Sequence, residues 1–399
     1  MRRHHLALVG ALVLALVPGC SALGPATSAQ GAGAKAVAAS GAAPAQPAAS
    51  IAVSPQDGTT KVRPDNPVTV TASGGTLRQV TVTDDEGASI EGDLAADQAS
   101  WTSSGPLSLK ATYTVQASAT NADGQPTEVT STLQTLTPTD SADYFLLPSG
   151  NGEVGVGMPV VVQFAGLVDE DKQDDIEKLV SVTTSPHVDG AWGWLDARQL
   201  IWRPAEYWAP GTHVSVAADI TGIETRPGIW TTRNASTTFS VGSAMISTVD
   251  VKAHTMTVRR GGQVIRTIPV TTGKKGFETR RGTKVIISRE SSRQMDAETT
   301  GLSKSDPEYY NVKVKYAMRL TWSGEFVHSA PWSVGSQGRD NVSHGCTGMS
   351  PANAKWLFDQ SKMGDVVTYV GSGRGLESYN GYTMWNMPLA EWAKQSALV

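Results

Sequence analysis

The residues best suited to chemistry are one thiol and two imidazoles close to it in the chain. His328-Ser329-Ala330-Pro331-Trp332 is followed by Ser343-His344-Gly345-Cys346-Thr347-Gly348, and His328 precedes Cys346 by 18 positions. A free thiol titrates near 8.5 and is only a few per cent thiolate at neutral pH, so a nucleophilic cysteine profits from an imidazole that takes its proton and later returns it to a leaving amine. A strand ending at His328 and followed by a glycine-rich loop brings His328 beside Cys346 across a sheet. Gly345 then removes a side chain that would block the reacting carbonyl, and the N–H groups of Gly345 and Cys346 can point at a developing oxyanion. Two other readings compete. His328, His344 and Cys346 together offer three zinc-binding atoms, but with no CxxC or HxxxH spacing and no carboxylate in register. Each histidine taken singly is also compatible with plain packing. His187, His213 and His254 lie in strand-rich stretches and read as surface or core residues.

The only other cysteine is Cys20. It closes Val17-Pro18-Gly19-Cys20, after two arginines and an apolar run from Leu6 to Val17 that is too short to span a membrane comfortably but suits an export signal. The box resembles the bacterial lipoprotein signal, in which the cysteine becomes lipid-modified and N-terminal. The expectation is therefore an exported chain, anchored through Cys20 to the outer face of the cytoplasmic membrane and facing the cell wall. With Cys20 acylated, Cys346 has no disulfide partner, and a lone thiol outside the membrane calls for a chemical reason. Forty per cent apolar residues, 18% charged residues and a net charge of −4 describe a globular protein without the basic footprint of a nucleic-acid binder.

The elements that must position these groups follow from patterning. At 399 residues more than one core is expected. Residues 1–19 form the signal, and 20–50, rich in Ala, Gly, Ser, Pro and Gln, a disordered tether. From 51 to 138, period-two runs such as Val68-Thr69-Val70-Thr71, Val80-Thr81-Val82-Thr83 and Tyr113-Thr114-Val115-Gln116 indicate a β-sandwich. Residues 139–243 repeat the style and hold Trp192, Trp194, Trp202, Trp208 and Trp230, which read as packing in preference to glycan stacking. From 244 to 370 longer strands are expected at 249–258, 263–270, 284–289, 311–321 and 365–370. One helix interrupts them, capped by Ser350 with Pro351 at its first position. The polar stretch 290–307 lacks periodicity and reads as a lid. Residues 371–399 are loop-like but aromatic, and should pack back onto the body.

The His328 and Cys346 segments together resemble the active-site signature of bacterial L,D-transpeptidases. The likeness runs from about residue 244 to 370, and the preceding stretches Gly190-Ala191-Trp192-Gly193-Trp194-Leu195 and Trp202-Arg203-Pro204 look like the immunoglobulin-like domains of actinobacterial members. The resemblance implies a mainly β protein: two immunoglobulin-like sandwiches at 51–138 and 139–243, then a β-rich catalytic domain at 244–370 with one or two helices and a C-terminal packing segment at 371–399. It also implies a reaction. Cys346 attacks the carbonyl between the third residue of a peptidoglycan tetrapeptide stem and its terminal D-alanine, D-alanine leaves, and the thioester passes to an amine on a neighbouring stem. In the family pattern His328 is the base, the Ser329 carbonyl orients its ring, His344 is the second histidine, and the Gly345 and Cys346 amides hold the oxyanion. Tyr310, Met295, Trp332 and Ser343 fall at substrate-contacting positions. No cofactor or metal is implied, and carbapenem β-lactams are the expected covalent inhibitors.

Two positions depart from the pattern. Gly348 stands where many members carry Asn or Arg, and Thr300 where some carry a lid tyrosine. Hydrolysis of the same thioester, as in a carboxypeptidase, and a non-catalytic wall-binding lipoprotein are the alternative functions. Sequence does not separate transfer from hydrolysis, whereas intact His328 and Cys346 speak against a non-catalytic role.

Overall fold

The computed structural model describes residues 46–399; the segment expected to be an export signal, Cys20 and the expected tether as far as residue 45 lie outside the described residues. Among the described residues no helix is long and apolar enough to cross a membrane.

The first sandwich stacks two four-stranded sheets. One orders Ser50–Ser54, Thr69–Ser73, Ser100–Ser103 and Gly92–Leu94; the other orders Thr59–Val62, Pro126–Thr135, Thr112–Thr120 and Thr76–Asp84. Alternation decides which side chains go inward: Tyr113, Val115, Ala117 and Ala119 of one strand are all buried, with polar or small residues between them. The second sandwich repeats the plan with Val160–Phe164 and Gln199–Pro204 at the centre of one sheet and His213–Ala218 beside Ala235–Val241 in the other. Arg63 bridges the two sandwiches, pairing with Glu224 at 2.6 Å while its guanidinium lies 4.8 Å from the Trp230 ring centroid.

The strands from residue 245 onward form two sheets. A five-stranded sheet runs in the order Gln263–Pro269, Thr255–Arg260, Met245–Asp250, Val366–Val370 and Gly282–Val285. A four-stranded sheet runs Ser288–Asp296, Asn311–Arg319, Phe326–Ser329 and Thr347–Met349. Two strand readings need correction. The run 249–258 is a hairpin, Met245–Asp250 paired with Thr255–Arg260 and turning at residues 251–254. Val249 and Val251 are buried at odd positions but Met256 and Val258 at even ones. That change of parity marks the turn. The polar stretch 290–307 is not an irregular lid throughout, because Ser288–Asp296 is a regular strand paired with Asn311–Arg319, followed by a 3-10 turn at Ala297–Thr300. It is an edge strand, so polar residues occupy both its faces and hide the period of two.

The helix Pro351–Gln360 is capped by Ser350, whose hydroxyl accepts from the Asn353 N–H, and buries Ala354 and Leu357. The C-terminal segment is a strap. Trp385 donates to the Gly157 carbonyl at 2.9 Å and Trp392 to the Ala191 carbonyl at 3.2 Å. Arg203 of the second sandwich donates to the Met387 carbonyl at 2.8 Å, and Glu177 accepts from the Ala397 N–H at 2.9 Å. One apolar core runs through this strap, joining Trp202, Trp208 and Phe239 of the second sandwich to Val285, Ile287, Val366, Met384 and Trp392. Trp194, Trp202 and Trp208 are buried in that core.

Candidate active site

The strand Phe326–Ser329 lies parallel to Thr347–Met349, with His328 opposite Gly348. Cys346 precedes that strand by one residue and sits two positions before Gly348, so its side chain shares the face that carries His328. Both residues line one cavity of about 440 Å³, together with Met295, Tyr310, Trp332 and Ser343. The parallel pair, and not nearness in sequence, brings them together.

His328 is 7% exposed, and its Nδ1–H donates to the Ser329 carbonyl at 2.9 Å. That bond fixes the tautomer and leaves Nε2 as an acceptor. Burial holds the imidazole below its ordinary 6.5, opposed by the Ser329 carbonyl, so the ring is neutral at pH 7. Trp332, itself 59% exposed at the mouth, lies 6.0 Å away centroid to centroid.

Cys346 is a free thiol that keeps part of its surface open to the cavity while its sulfur donates to the Gly324 carbonyl at 3.6 Å. Burial pushes the thiol up to about 11; Glu325 adds to that, while the Phe326 N–H, Lys284 and Arg319 oppose it. At rest the site therefore holds a thiol and a neutral imidazole, not an ion pair.

The loop before the nucleophile is fixed by its own hydrogen bonds. Ser343 Oγ donates to the Cys346 carbonyl at 2.6 Å and accepts from the Gly345 N–H at 3.1 Å. Thr279 donates to the Gly345 carbonyl at 2.7 Å, and Asn341 accepts from the Thr272 N–H at 3.0 Å and binds His254 Nδ1 at the same distance. His254 thus has a structural partner across the turn. Glycine at 345 also has a conformational reason. A Cβ there would meet nothing nearer than 3.7 Å, but φ is +121°, a conformation that other residues rarely adopt.

His344 lines the same cavity, but its Nε2 is already bound. Its Nε2–H donates to Glu308 at 2.8 Å, its ring packs 4.7 Å from Phe277 and 4.9 Å from Tyr310, and Glu308 also accepts from Lys274 at 2.6 Å. Lys274 first and His344 second hold the Glu308 carboxyl below its usual range. Glu308 and Lys274 were not legible as site residues, because their partners come from distant loops.

The two departures have physical readings. A side chain at 348 has no room, since a Cβ would stand 2.9 Å from Ala330 Cβ and 3.0 Å from Thr271 Cγ2. Thr300 lines a second cavity of about 250 Å³ that shares Met295 and Tyr310 with the first and reaches Gly324, the acceptor of the thiol.

Comparison with known proteins agrees with this geometry. A model of the L,D-transpeptidase catalytic domain matches residues 244–368, and a bacterial Ig domain model matches residues 59–224, across most of both sandwiches. L,D-transpeptidase 2 of Mycobacterium tuberculosis is 37% identical over 350 residues, which cover 87% of this chain and 85% of that protein. L,D-transpeptidase 1 of the same species is 38% identical over 224 residues, 56% of this chain and 83% of that protein. A solved structure of an LD transpeptidase in complex with imipenem is similar over 58% of this chain and 100% of that one, at 36% identity and a TM-score of 0.50.

Proposed function

This chain belongs to the L,D-transpeptidase family, and from that premise we propose that Cys346 is its nucleophile and the Nε2 of His328 its base. The enzyme is a peptidoglycan L,D-transpeptidase, which takes a tetrapeptide stem as donor and links third residue to third residue. The observation that carries the assignment is the Ser329 carbonyl on His328 Nδ1, which leaves a neutral Nε2 in the cavity that holds the free thiol.

With the thiol at about 11 and His328 below 6.5, proton transfer accompanies attack. The S–H proton passes to Nε2 as sulfur bonds to the donor carbonyl carbon. The bond to D-alanine's nitrogen then breaks, and Nε2 gives its proton to that amine. The acceptor amine attacks the thioester, loses a proton to Nε2, and the S–C bond breaks to regenerate the thiol. The Cys346 N–H is one oxyanion donor. Gly345 N–H joins it only when Ser343 Oγ gives up its 3.1 Å bond. His344, turned to Glu308, serves as cavity wall beside Tyr310, a substrate-positioning role in place of proton transfer. Met295, Tyr310, Trp332 and Ser343 line the stem's path, and carbapenems acylate the same sulfur.

Lipid on Cys20 anchors the enzyme to the outer face of the cytoplasmic membrane, where acyl chains contribute about 0.8 kcal/mol per buried CH₂ and two or three chains hold stably. Cys20→Ala releases the protein from membranes or blocks its maturation, read by fractionation. The reaction itself is tested by incubating tetrapeptide muropeptides with the enzyme. A cross-linked dimer with released D-alanine, absent for Cys346→Ser, is expected; tripeptide alone makes the enzyme a hydrolase.

A further inference from the structure

Behind the nucleophile lies a set of buried charges that the reaction above leaves unused. Lys284 is 2% and Glu325 4% exposed, and their Nζ and Oε2 atoms are 2.5 Å apart. The other Glu325 oxygen accepts from the Arg280 N–H at 2.9 Å and from its guanidinium at 3.1 Å, while Arg280 Nε donates to Glu377 at 2.5 Å. The Lys284 ammonium also lies 4.0 Å from the Tyr369 ring centroid, and the Tyr369 hydroxyl bonds Thr347 Oγ1 at 2.6 Å.

This cluster touches the chain on both sides of Cys346. Thr347 follows it directly. Glu325 Oε1 lies 3.9 Å from where a Cβ on Gly345 would stand, and Glu325 itself follows Gly324, whose carbonyl receives the thiol. Lys284 is buried near the end of the strand Gly282–Val285, directly before Val285, Ile286 and Ile287, which are all buried. Buried ion pairs seldom add stability over apolar residues of similar volume, so stability alone is a poor reason for a lysine at this point.

We propose that Lys284, held in place by Glu325, is a positioning residue that keeps a positive charge beneath Cys346 and so stabilises the thiolate formed as His328 takes the thiol proton. The inference rests on Cys346 being the nucleophile. The step involves no other reactant: the S–H bond breaks and an Nε2–H bond forms. The charged groups that act on the sulfur are Glu325, Lys284 and Arg319, with Arg280 bonded to Glu325. Tyr310, Tyr369, His328 and His344 complete the titratable groups around it. Glu325 acts on the sulfur in the opposite sense to Lys284 and Arg319, and ahead of both; burial lowers the Lys284 pKa, while its contact with Glu325 sustains the ammonium charge.

The rate of Cys346 alkylation by iodoacetamide, followed by intact mass from neutral to alkaline pH, tests this. Lys284→Gln keeps a hydrogen bond to Glu325 but removes the charge, while Arg280 stays bonded to Glu325; Lys284→Met serves if that variant does not fold. Alkylation at neutral pH should fall about tenfold, and the whole profile should move to higher pH. Lys284→Gln combined with Glu325→Gln removes both opposing charges and should bring the profile back toward wild type. Alkylation reads the thiol itself, so a failure of this inference is told apart from turnover by Cys346→Ser, which would overturn the nucleophile reading on which it rests. A Lys284 variant whose profile superimposes on wild type, or a double variant displaced as far as the single one, makes Lys284 structural and overturns the proposal.

Discussion

At the seam between the second sandwich and the catalytic domain, Trp392 is wholly buried in a continuous apolar core, and a Cβ on Gly193 would stand only 2.8 Å from its ring. At Cys346 the apolar support is small, Met295, Val314, Ala317 and Phe326, and charged or titratable groups surround it: Lys284, Glu325, His328, and His344 on Glu308. The seam gains stiffness from area and close packing. The cleft gives up packing for polar groups held in fixed places, which is where a reaction obtains its electrostatic stabilisation. Damage to the seam should therefore appear as lost stability, and damage to the cleft as lost rate in a protein that still folds.

The largest separation is expected from His328→Ala. Turnover should fall by roughly 10² to 10⁴, the scale of a positioned acid–base group, while the melting temperature changes little. A loss below tenfold would point to His344 as the base. Trp392→Ala is the opposite case. Deleting a fully buried tryptophan should cost about 3–5 kcal/mol in denaturant unfolding, with the rate per folded molecule kept within a few-fold. Equal loss of rate in that variant would mean that seam and cleft are one cooperative unit.

A smaller effect comes from Asp365, which sits at the seam where Gly155 N–H donates to the Met363 carbonyl. Its Oδ2 accepts from the Lys362 N–H at 2.7 Å, while its Oδ1 is buried without a hydrogen-bond partner. Burial raises it from 3.8 to about 7. The folded state thus binds this proton more tightly than the unfolded one, so its contribution is full below pH 3.8 and lost as pH rises through 7. His328 runs the other way: its folded pKa is depressed, so its contribution is present above 6.5 and lost as pH falls below that value. Asp365→Asn should remove the seam's slope and stabilise the protein at mildly alkaline pH by about 1–3 kcal/mol, with less effect in acid. Unchanged stability at alkaline pH would mean that Asp365 is solvated or paired there.

How much of each region the sequence disclosed follows from the same contrast. The cleft's reacting groups were legible because a lone thiol, two histidines and glycines fall in one short segment. Their supports were not: Glu308 binds His344 across 36 positions and Glu325 binds Lys284 across 41. Lys284 did leave a trace, as a charge directly before the apolar run Val285-Ile286-Ile287. The sandwich strands were legible from their alternation, as was the Ser350 cap. The strand at 288–296 was hidden by its polarity, and the hairpin at 251–254 by valines that continue into the turn. The seam was legible only in kind, because tryptophans announce packing but not which surfaces they join.

The central claim is that Cys346 carries the acyl group, and it is tested most directly by intact mass and peptide mapping after incubation with a tetrapeptide muropeptide in the absence of acceptor. The account predicts a mass gain equal to the donor less D-alanine, on the peptide that contains Cys346, and slower to appear in His328→Ala. An adduct on any other residue, or cross-linked dimer made by protein whose Cys346 is already blocked, would contradict it.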